Sequence, residues 1–474
     1  MERIIGIHIS DERGSFTLRI LMLTWEYPPK SVGGIARHVE DLAAAIAETN
    51  NEIHVVTVGA EDAPEYEIVG GVHVHRFEPY PVNAPDFLTW ILQLNVKMQE
   101  TVARMVRNEG SFDIVHAHDW LVAFAGAAAK HAYQIPLVAT IHATEAGRNH
   151  GLHNDHQRYI ASVEWWLAYE AWRIIVCSNH MQEEVQRVFN APRDKTMVLP
   201  NGVDAQKFET LNIEPGFKSR YAFDYEKIIF FVGRLVQEKG VQVLIDSAPA
   251  ILRACPEAKF VIAGKGPMEE ERRRQAQACG LGDKIHFTGY IDDDTRNKLY
   301  GVSSVAVFPS LYEPFGIVAL EAMAAGTPVV VSDTGGLSEI ITHGENGLKA
   351  YPGNANSLGN NVIRLLTDEA YAGQIRNRAG CLVKEVYDWR TIAGNTLDLY
   401  ESILKEYRRS PWSRQNKKSK VWDYAKFFVT SRYEIPEQGS SQINENEAVN
   451  SSDRGSFDLV NMRIAANNLR ERGE

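Results

Sequence analysis

Short β-branched apolar runs alternate with helix-patterned stretches along most of the chain, and the alternation runs through twice with a break between. Runs at residues 18–24, 53–58, 114–116, 137–141 and 174–177 read as strands, with helical patterns at 35–47, 87–107, 121–131 and 157–172 between them. Val72-His73-Val74-His75-Arg76-Phe77 alternates at period two behind Gly70-Gly71 and reads as an edge strand. Leu199-Pro200-Asn201-Gly202 then punctuates the chain. A second series opens at 227–232, continues at 259–263, 284–287, 305–308 and 329–331, and closes with helical patterns at 357–367, 370–386 and 389–407. Strands separated by helices pair in parallel, because a parallel neighbour is reached only by a crossover. The expected class is α/β: two doubly wound halves, residues 18–199 and 221–386, joined by a linker at 200–220. Residues 1–17 precede the first convincing unit. Residues 409–474 open on a basic run that includes Arg409, Arg414, Lys417, Lys418 and Lys420 and pass into a Ser-, Asn-, Glu- and Gly-rich segment at 438–454, which predicts a mobile tail.

The 474 residues carry a net charge of −11, from 50 Lys and Arg against 61 Asp and Glu. That balance argues against a nucleic-acid binder, which needs a basic footprint, and against stable membrane association. No apolar run approaches the roughly 18–20 residues of a membrane span, and the acidic start, Met1-Glu2-Arg3 to Asp11-Glu12, is a poor secretory leader. Cys177, Cys255, Cys279 and Cys381 are scattered without a C-x-x-C pair, so buried free thiols in a reducing cytoplasm are expected.

The chemistry-bearing residues gather at strand ends. Residues 20–24 lead into Trp25-Glu26-Tyr27-Pro28-Pro29-Lys30-Ser31-Val32-Gly33-Gly34 and then a helix. A glycine pair at a helix entry lets backbone approach a phosphate. The loop is neither G-x-G-x-x-G nor a Walker loop. Residues 228–232 run into Gly233-Arg234-Leu235-Val236-Gln237-Glu238-Lys239, where a guanidinium and an ammonium can converge on one anion. Residues 305–308 lead into Glu313-Pro314-Phe315-Gly316-Ile317-Val318-Ala319-Leu320-Glu321, a helix start flanked by two acids. Free amides there attract phosphate, whereas carboxylates repel it and bind hydroxyls. A ligand with phosphate in its middle and hydroxyl-rich ends is a nucleotide sugar.

Other chemistries fit less well. Glu313 and Glu321 could pose as a glycosidase pair, but the phosphate-type loops would then have no purpose. A serine hydrolase is excluded by the absence of G-x-S-x-G. His116, His118 and Asp119 are conceivable metal ligands, yet no thiolate or further histidine motif accompanies them, and His150, His153 and His156 read as a polar substrate-side loop. The expectation is a site without metal or cofactor.

Together these residues resemble the retaining glycosyltransferases of GT-B fold, family 4, over about residues 18–405. Glu313 and Glu321 match the family's E-x7-E, Gly233-Arg234 with Lys239 its G-R-x4-K, Gly33-Gly34 its glycine loop, and His142 the histidine ending an N-domain strand. His116-Ala117-His118-Asp119-Trp120 and Trp25-Glu26-Tyr27-Pro28-Pro29 are similar to the glycogen and starch synthase branch, although Val32 stands where those enzymes carry lysine. The resemblance implies two Rossmann-like domains facing a cleft, with a helix at 387–408 crossing back. It implies that Arg234 and Lys239 neutralise the donor diphosphate, and that the amides of Phe315, Gly316, Ile317 and Val318 hold phosphate and sugar. Glu321 is to grip the ribose, Glu313 and His142 the transferred sugar. Gly33 and Gly34 are to approach the donor, with Glu26 and Asp119 on the acceptor side. It implies front-face transfer with retention, from ADP- or UDP-glucose to an α-glucan in the cytoplasm. A transferase acting on lipid-linked or surface polysaccharide precursors, docked through helix 87–107 with Trp90, Ile91, Leu94, Lys97 and Arg104, stands as the alternative. A non-catalytic sugar-nucleotide binder is the reading from another class.

Overall fold

Strand β1 (Arg19–Leu23) is buried along its last four residues, which only the middle of a sheet covered on both faces can provide. A computed structural model describes residues 17–61 and 63–413; residues 1–16 of the expected extension, the basic run from Arg414 and the 438–454 segment lie outside the described residues. After β1 come α1 (Gly34–Ala47), β2 (Glu52–Val58), β3 (Tyr66–Val69), β4 (Val72–Phe77), α2 (Phe87–Glu109), β5 (Ile114–His118), α3 (Ala123–Tyr133) and β6 (Leu137–Ile141). Then follow α4 (Glu145–Arg148), α5 (Asp155–Glu170), β7 (Arg173–Val176), α6 (Asn179–Phe189) and β8 (Thr196–Val198). These strands form one sheet in the order β3-β4-β2-β1-β5-β6-β7-β8, parallel except for β3 against β4.

After the short α7 (Gln206–Glu209), the second half runs β9 (Lys227–Val232), α8 (Val241–Ala254), β10 (Ala258–Ala263), α9 (Glu269–Ala278), β11 (Ile285–Gly289), α10 (Asp293–Val302) and β12 (Val305–Phe308). It ends with α11 (Ile317–Ala324), β13 (Val329–Ser332), α12 (Gly335–Ile340), β14 (Leu348–Ala350), α13 (Ala355–Thr367), α14 (Glu369–Val386) and α15 (Trp389–Arg409). Its sheet is wholly parallel, in the order β11-β10-β9-β12-β13-β14.

Both sheets reverse their winding beside the first strand of the half: between β1 and β5, and between β9 and β12. Ligands of open α/β sheets bind in the crevice at the carboxyl ends of such strands. The loops leaving β1 and β5 hold Glu26 to Gly34 and Asp119; those leaving β9 and β12 hold Arg234 to Lys239 and Glu313 to Gly316. Topology alone therefore collects the motif residues at two facing crevices.

Helix α15 returns to the first half. Trp389, Ile392, Tyr400, Ile403 and Leu404 share a buried core with Ile20, Met22, Val39 and Ile53. The Tyr400 hydroxyl and His116 Nδ1, 2.7 Å apart, hydrogen-bond inside it.

Three expectations need correcting. Residues 72–77 are not an edge strand: β4 lies between β2 and β3, and Gly70 and Gly71, both at positive φ (57° and 83°), turn a hairpin into β3. Strand β3 escapes notice because Tyr66, Ile68 and Val69 face solvent, leaving no alternation to read. The thiols are free, but only Cys177 and Cys255 are buried; Cys279 is half-buried and Cys381 exposed. Finally, Ile91 and Leu94 of α2 point into the core rather than outward, so they offer nothing to a membrane. Among the described residues no helix is long and apolar enough to span one.

Candidate active site

Helix α11 begins at Gly316, whose φ of 111° and ψ of 50° suit glycine alone; a Cβ there would sit 2.5 Å from Leu337 Cδ2. The first intrahelical bond runs from Ala319 N–H to Gly316 O at 2.9 Å. The amides of Ile317 and Val318 precede it, as helix-start amides do, and form the anion-attracting end of the helix. Glu313 is buried on one side: its Oε2 accepts from Lys239 Nζ at 2.7 Å and from Ser310 Oγ at 3.1 Å. Glu321 is buried on the other, accepting from Tyr300 Oη at 3.2 Å, with Arg296 Nε at 3.4 Å. Burial raises the Glu321 carboxyl above its ordinary value, with Arg37 opposing the rise. Arg234 is exposed and makes no ion pair among the described residues, which leaves its guanidinium available to an incoming anion.

Across the cleft, Glu26 is buried and its carboxylate receives the amides of Val32, Gly33 and Ala36 at 2.5, 3.2 and 3.3 Å. It holds the glycine loop onto the start of α1. The Gly33 amide is thus engaged, and what the glycine pair supplies is closeness: a Cβ on Gly34 would lie 3.7 Å from Ile317 Cδ1 of the opposite half. Asp119 ends β5 at a φ of 63°, a left-handed conformation that costs a non-glycine residue about 1–3 kcal/mol. It aims Oδ1 at the His142 amide, 2.8 Å away. Oδ2 has no hydrogen bond, its nearest cation being Arg148 at 3.9 Å. Burial pushes the Asp119 carboxyl up to about 6. His142, at the end of β6, meets His118 and His38; burial, then Arg148, holds its imidazole down to about 3, so the ring is neutral at neutral pH.

Residues 215–380 match the family described as Glycosyl transferases group 1, and residues 32–207 match Glycosyltransferase Family 4. An uncharacterized glycosyltransferase of Methanocaldococcus jannaschii is 42% identical over 392 residues, spanning 82% of this chain and 99% of its own. Glycogen synthase of Mycobacterium tuberculosis is 34% identical over 411 residues, 84% of this chain and 97% of that enzyme. Sucrose-phosphate synthase from Thermosynechococcus elongatus superposes with a TM-score of 0.71 at 26% identity, covering 82% of this chain and 100% of that one. The chain belongs to glycosyltransferase family 4.

In this family 4 glycosyltransferase the two halves are tied together around the cleft. Arg37 of α1 reaches Glu321 Oε1 at 2.8 Å and Asp293 at 2.7 Å. Glu339 of α12 caps α6, accepting from the Asn179 and His180 amides at 2.9 and 2.7 Å. Ser178 Oγ donates to Pro314 O at 2.7 Å, and Tyr312 Oη to Glu184 at 2.8 Å.

The structure brings Lys239, Glu313, Gly316, Ile317 and Val318 to one crevice, with Glu321 one helix turn deeper. His142 and Asp119 stand together on the opposite half, and Glu26 lies behind the glycine loop as its brace. His116 is no metal ligand, since Tyr400 and Thr140 occupy both its nitrogens at 2.7 Å. His153 closes its own loop by a bond to Asn149 O at 2.8 Å. Sequence reasoning missed Arg37, His38 and Arg148. The one signal for His38 was its place one helical turn after Gly34, on the same face as that glycine.

The Asp119 carboxyl titrates near 6 when folded, against an ordinary 3.8. A raised carboxyl contributes stability below its unfolded value and loses it as pH climbs through the folded one. The stability gained on Asp119→Asn should therefore grow between about pH 4 and 6 and then level off, by up to about 3 kcal/mol for two units at 1.4 kcal/mol each. Denaturant unfolding of both proteins across that range checks it; a pH-independent difference contradicts it.

Proposed function

We propose that this glycosyltransferase moves a glucosyl unit from ADP- or UDP-glucose to an α-1,4-glucan, with retention and without metal. The observation that carries the reading is the α11 start with Glu313 and Glu321 on either side of it and Lys239 bound to Glu313. It gives one place for phosphate between two places for hydroxyls. Lys239 and the unpaired Arg234 neutralise the diphosphate as the bond to the sugar breaks, a charge that develops in the transition state and is best met by preorganised cations. The amides from Phe315 to Val318 take phosphate and sugar oxygens, Glu321 the ribose, and Glu313 and neutral His142 the sugar hydroxyls. Neutral imidazole suits that task, since it can both donate to and accept from a hydroxyl. Asp119 fixes His142 through its amide, and Glu26 braces the glycine loop of the half assigned to the acceptor. The glucan assignment is supported by the 34% identity to a glycogen synthase along nearly the whole of that enzyme. A cytoplasmic location is part of the same proposal.

Purified protein should release nucleoside diphosphate from ADP- or UDP-glucose when glycogen or maltooligosaccharide is present, and far more slowly without it. Release only with lipid acceptors would sink the glucan assignment and favour the precursor-making alternative. Release under no donor–acceptor pair, with the nucleotide still bound, would favour a binding protein.

Lys239→Ala should lower kcat about 10–150-fold, the loss of one charge-assisted contact of roughly 1.5–3 kcal/mol, while thermal unfolding shows a folded protein. An unfolded variant would make Lys239 structural.

A further inference from the structure

Behind His142, three imidazoles converge from three elements: His38 of α1, His118 at the end of β5 and His142 after β6. Ring centroids lie 4.6 Å apart for His38 and His142, 5.3 Å for His38 and His118, and 5.6 Å for His118 and His142. Each ring offers a nitrogen within 4.8 Å of the others. His38 and His118 are buried, and His142, at the carboxyl end of β6, is half-buried.

The tautomers are constrained. His38 Nδ1 lies 2.7 Å from Asn201 Oδ1, an oxygen that only accepts, so Nδ1 carries the proton and Nε2 the lone pair. That buried Nε2 has no hydrogen-bond partner. An unanswered buried lone pair is costly. A histidine held by a carbonyl through its far nitrogen, with the near one bare, is the arrangement that orients a metal-ligating imidazole. His118 Nδ1 and His142 Nε2 lie 3.4 Å apart. That is about the nitrogen–nitrogen edge of a tetrahedron with Zn–N bonds of roughly 2.0–2.1 Å. Burial holds all three rings neutral, the state that ligates. The charged groups near the cluster are Arg148 and Asp119, of opposite sign. His116 packs against His118 with ring centroids 4.2 Å apart and planes tilted by 36°, but has both nitrogens engaged, so it supports the cluster without joining it.

We propose that His38, His118 and His142 form a binding site for one borderline-soft divalent transition-metal ion, zinc foremost, with its fourth position open to the cleft. Three imidazoles and no carboxylate select Zn²⁺, Co²⁺, Ni²⁺ or Cu²⁺ over Mg²⁺ and Ca²⁺, which require oxygen ligands. The ion holds the His142 ring, through Nε2, in the cluster and away from the sugar. It therefore competes with the donor, and the site is inhibitory rather than catalytic. That consequence rests on the function proposed above; the binding itself does not.

The test uses full-length, tag-free protein stripped with a chelator and titrated with Co²⁺. Tetrahedral d–d bands should appear in the visible and saturate at one equivalent. They should be lost in His38→Gln and in His142→Gln, each shown folded by circular dichroism. Asn201→Ala, which frees the orienting bond, should weaken binding about 10–100-fold. His54→Gln, in the separate His54, His75 and Glu109 group, should leave the bands unchanged. Wild type showing only the weak spectrum of solvated Co²⁺, or bands that persist in folded His38→Gln, overturns the proposal. Should a variant not fold, anomalous scattering from a zinc-soaked wild-type crystal decides, with a peak required among the three rings. Zn²⁺, and not Mg²⁺, should raise the KM for the sugar donor. Metal bound without that competition would retain the site and contradict instead the placement of the sugar at His142.

Discussion

Carboxylates held almost out of water organise this molecule. Glu26, Asp119, Glu184, Glu313 and Glu321 are all buried, and a buried charge costs several kcal/mol unless it is paired and hydrogen-bonded. The partners that answer them are what give the cleft its shape. Glu26 draws the glycine loop onto α1, and Asp119 ties β5 to the end of β6 at the expense of a strained backbone. Glu313 fixes Lys239 in the loop after β9. Two carboxylates add a partner from the other half to those in their own: Glu321 meets Arg37 as well as Tyr300, and Glu184 meets Tyr312 as well as Thr144. Contact between the halves completes the partnering of these two acids.

That coupling bears on the reaction. The Arg37 pair occupies one oxygen of the residue assigned to the ribose, and the Lys239 pair occupies one oxygen of the residue assigned to the sugar. A nucleotide sugar has hydroxyls for both acids and phosphates for the cation at Lys239. It can replace the internal partners group for group, with little desolvation left uncompensated. A ligand of one charge type only could not do so. Under the proposed function, the cleft is matched to a molecule of alternating hydroxyl and phosphate character, which is the reading the strand-end motifs first suggested.

Much of this was legible in the sequence because it is local. The doubly wound halves follow from strand and helix periodicity, and α2, α14 and α15 begin within a residue of where the pattern puts them. Gly316 and the acids beside α11 are read from adjacent residues. What escaped was long-range. Arg37 and Glu321 are 284 positions apart, as are His116 and Tyr400, and no window of sequence contains either pair. The conceivable metal trio of His116, His118 and Asp119, set aside in the sequence, was picked out by adjacency. The sheet instead turns His116 into the core against α15 and gathers His118 with rings from α1 and β6. Strand β3 was missed for a related reason: it is held by its pairing with β4 and not by burial of its own side chains.

The central claim is that a nucleoside diphosphate lies along the α11 start, between Glu313 and Glu321. A crystal structure with UDP or ADP tests it most directly. The account predicts phosphate oxygens within hydrogen-bond distance of Arg234, Lys239 and the Ile317 and Val318 amides, and ribose hydroxyls on Glu321 with Arg37 shifted from Oε1. A nucleotide seated with its ribose away from Glu321, or with its phosphates touching neither Arg234 nor Lys239, would contradict it.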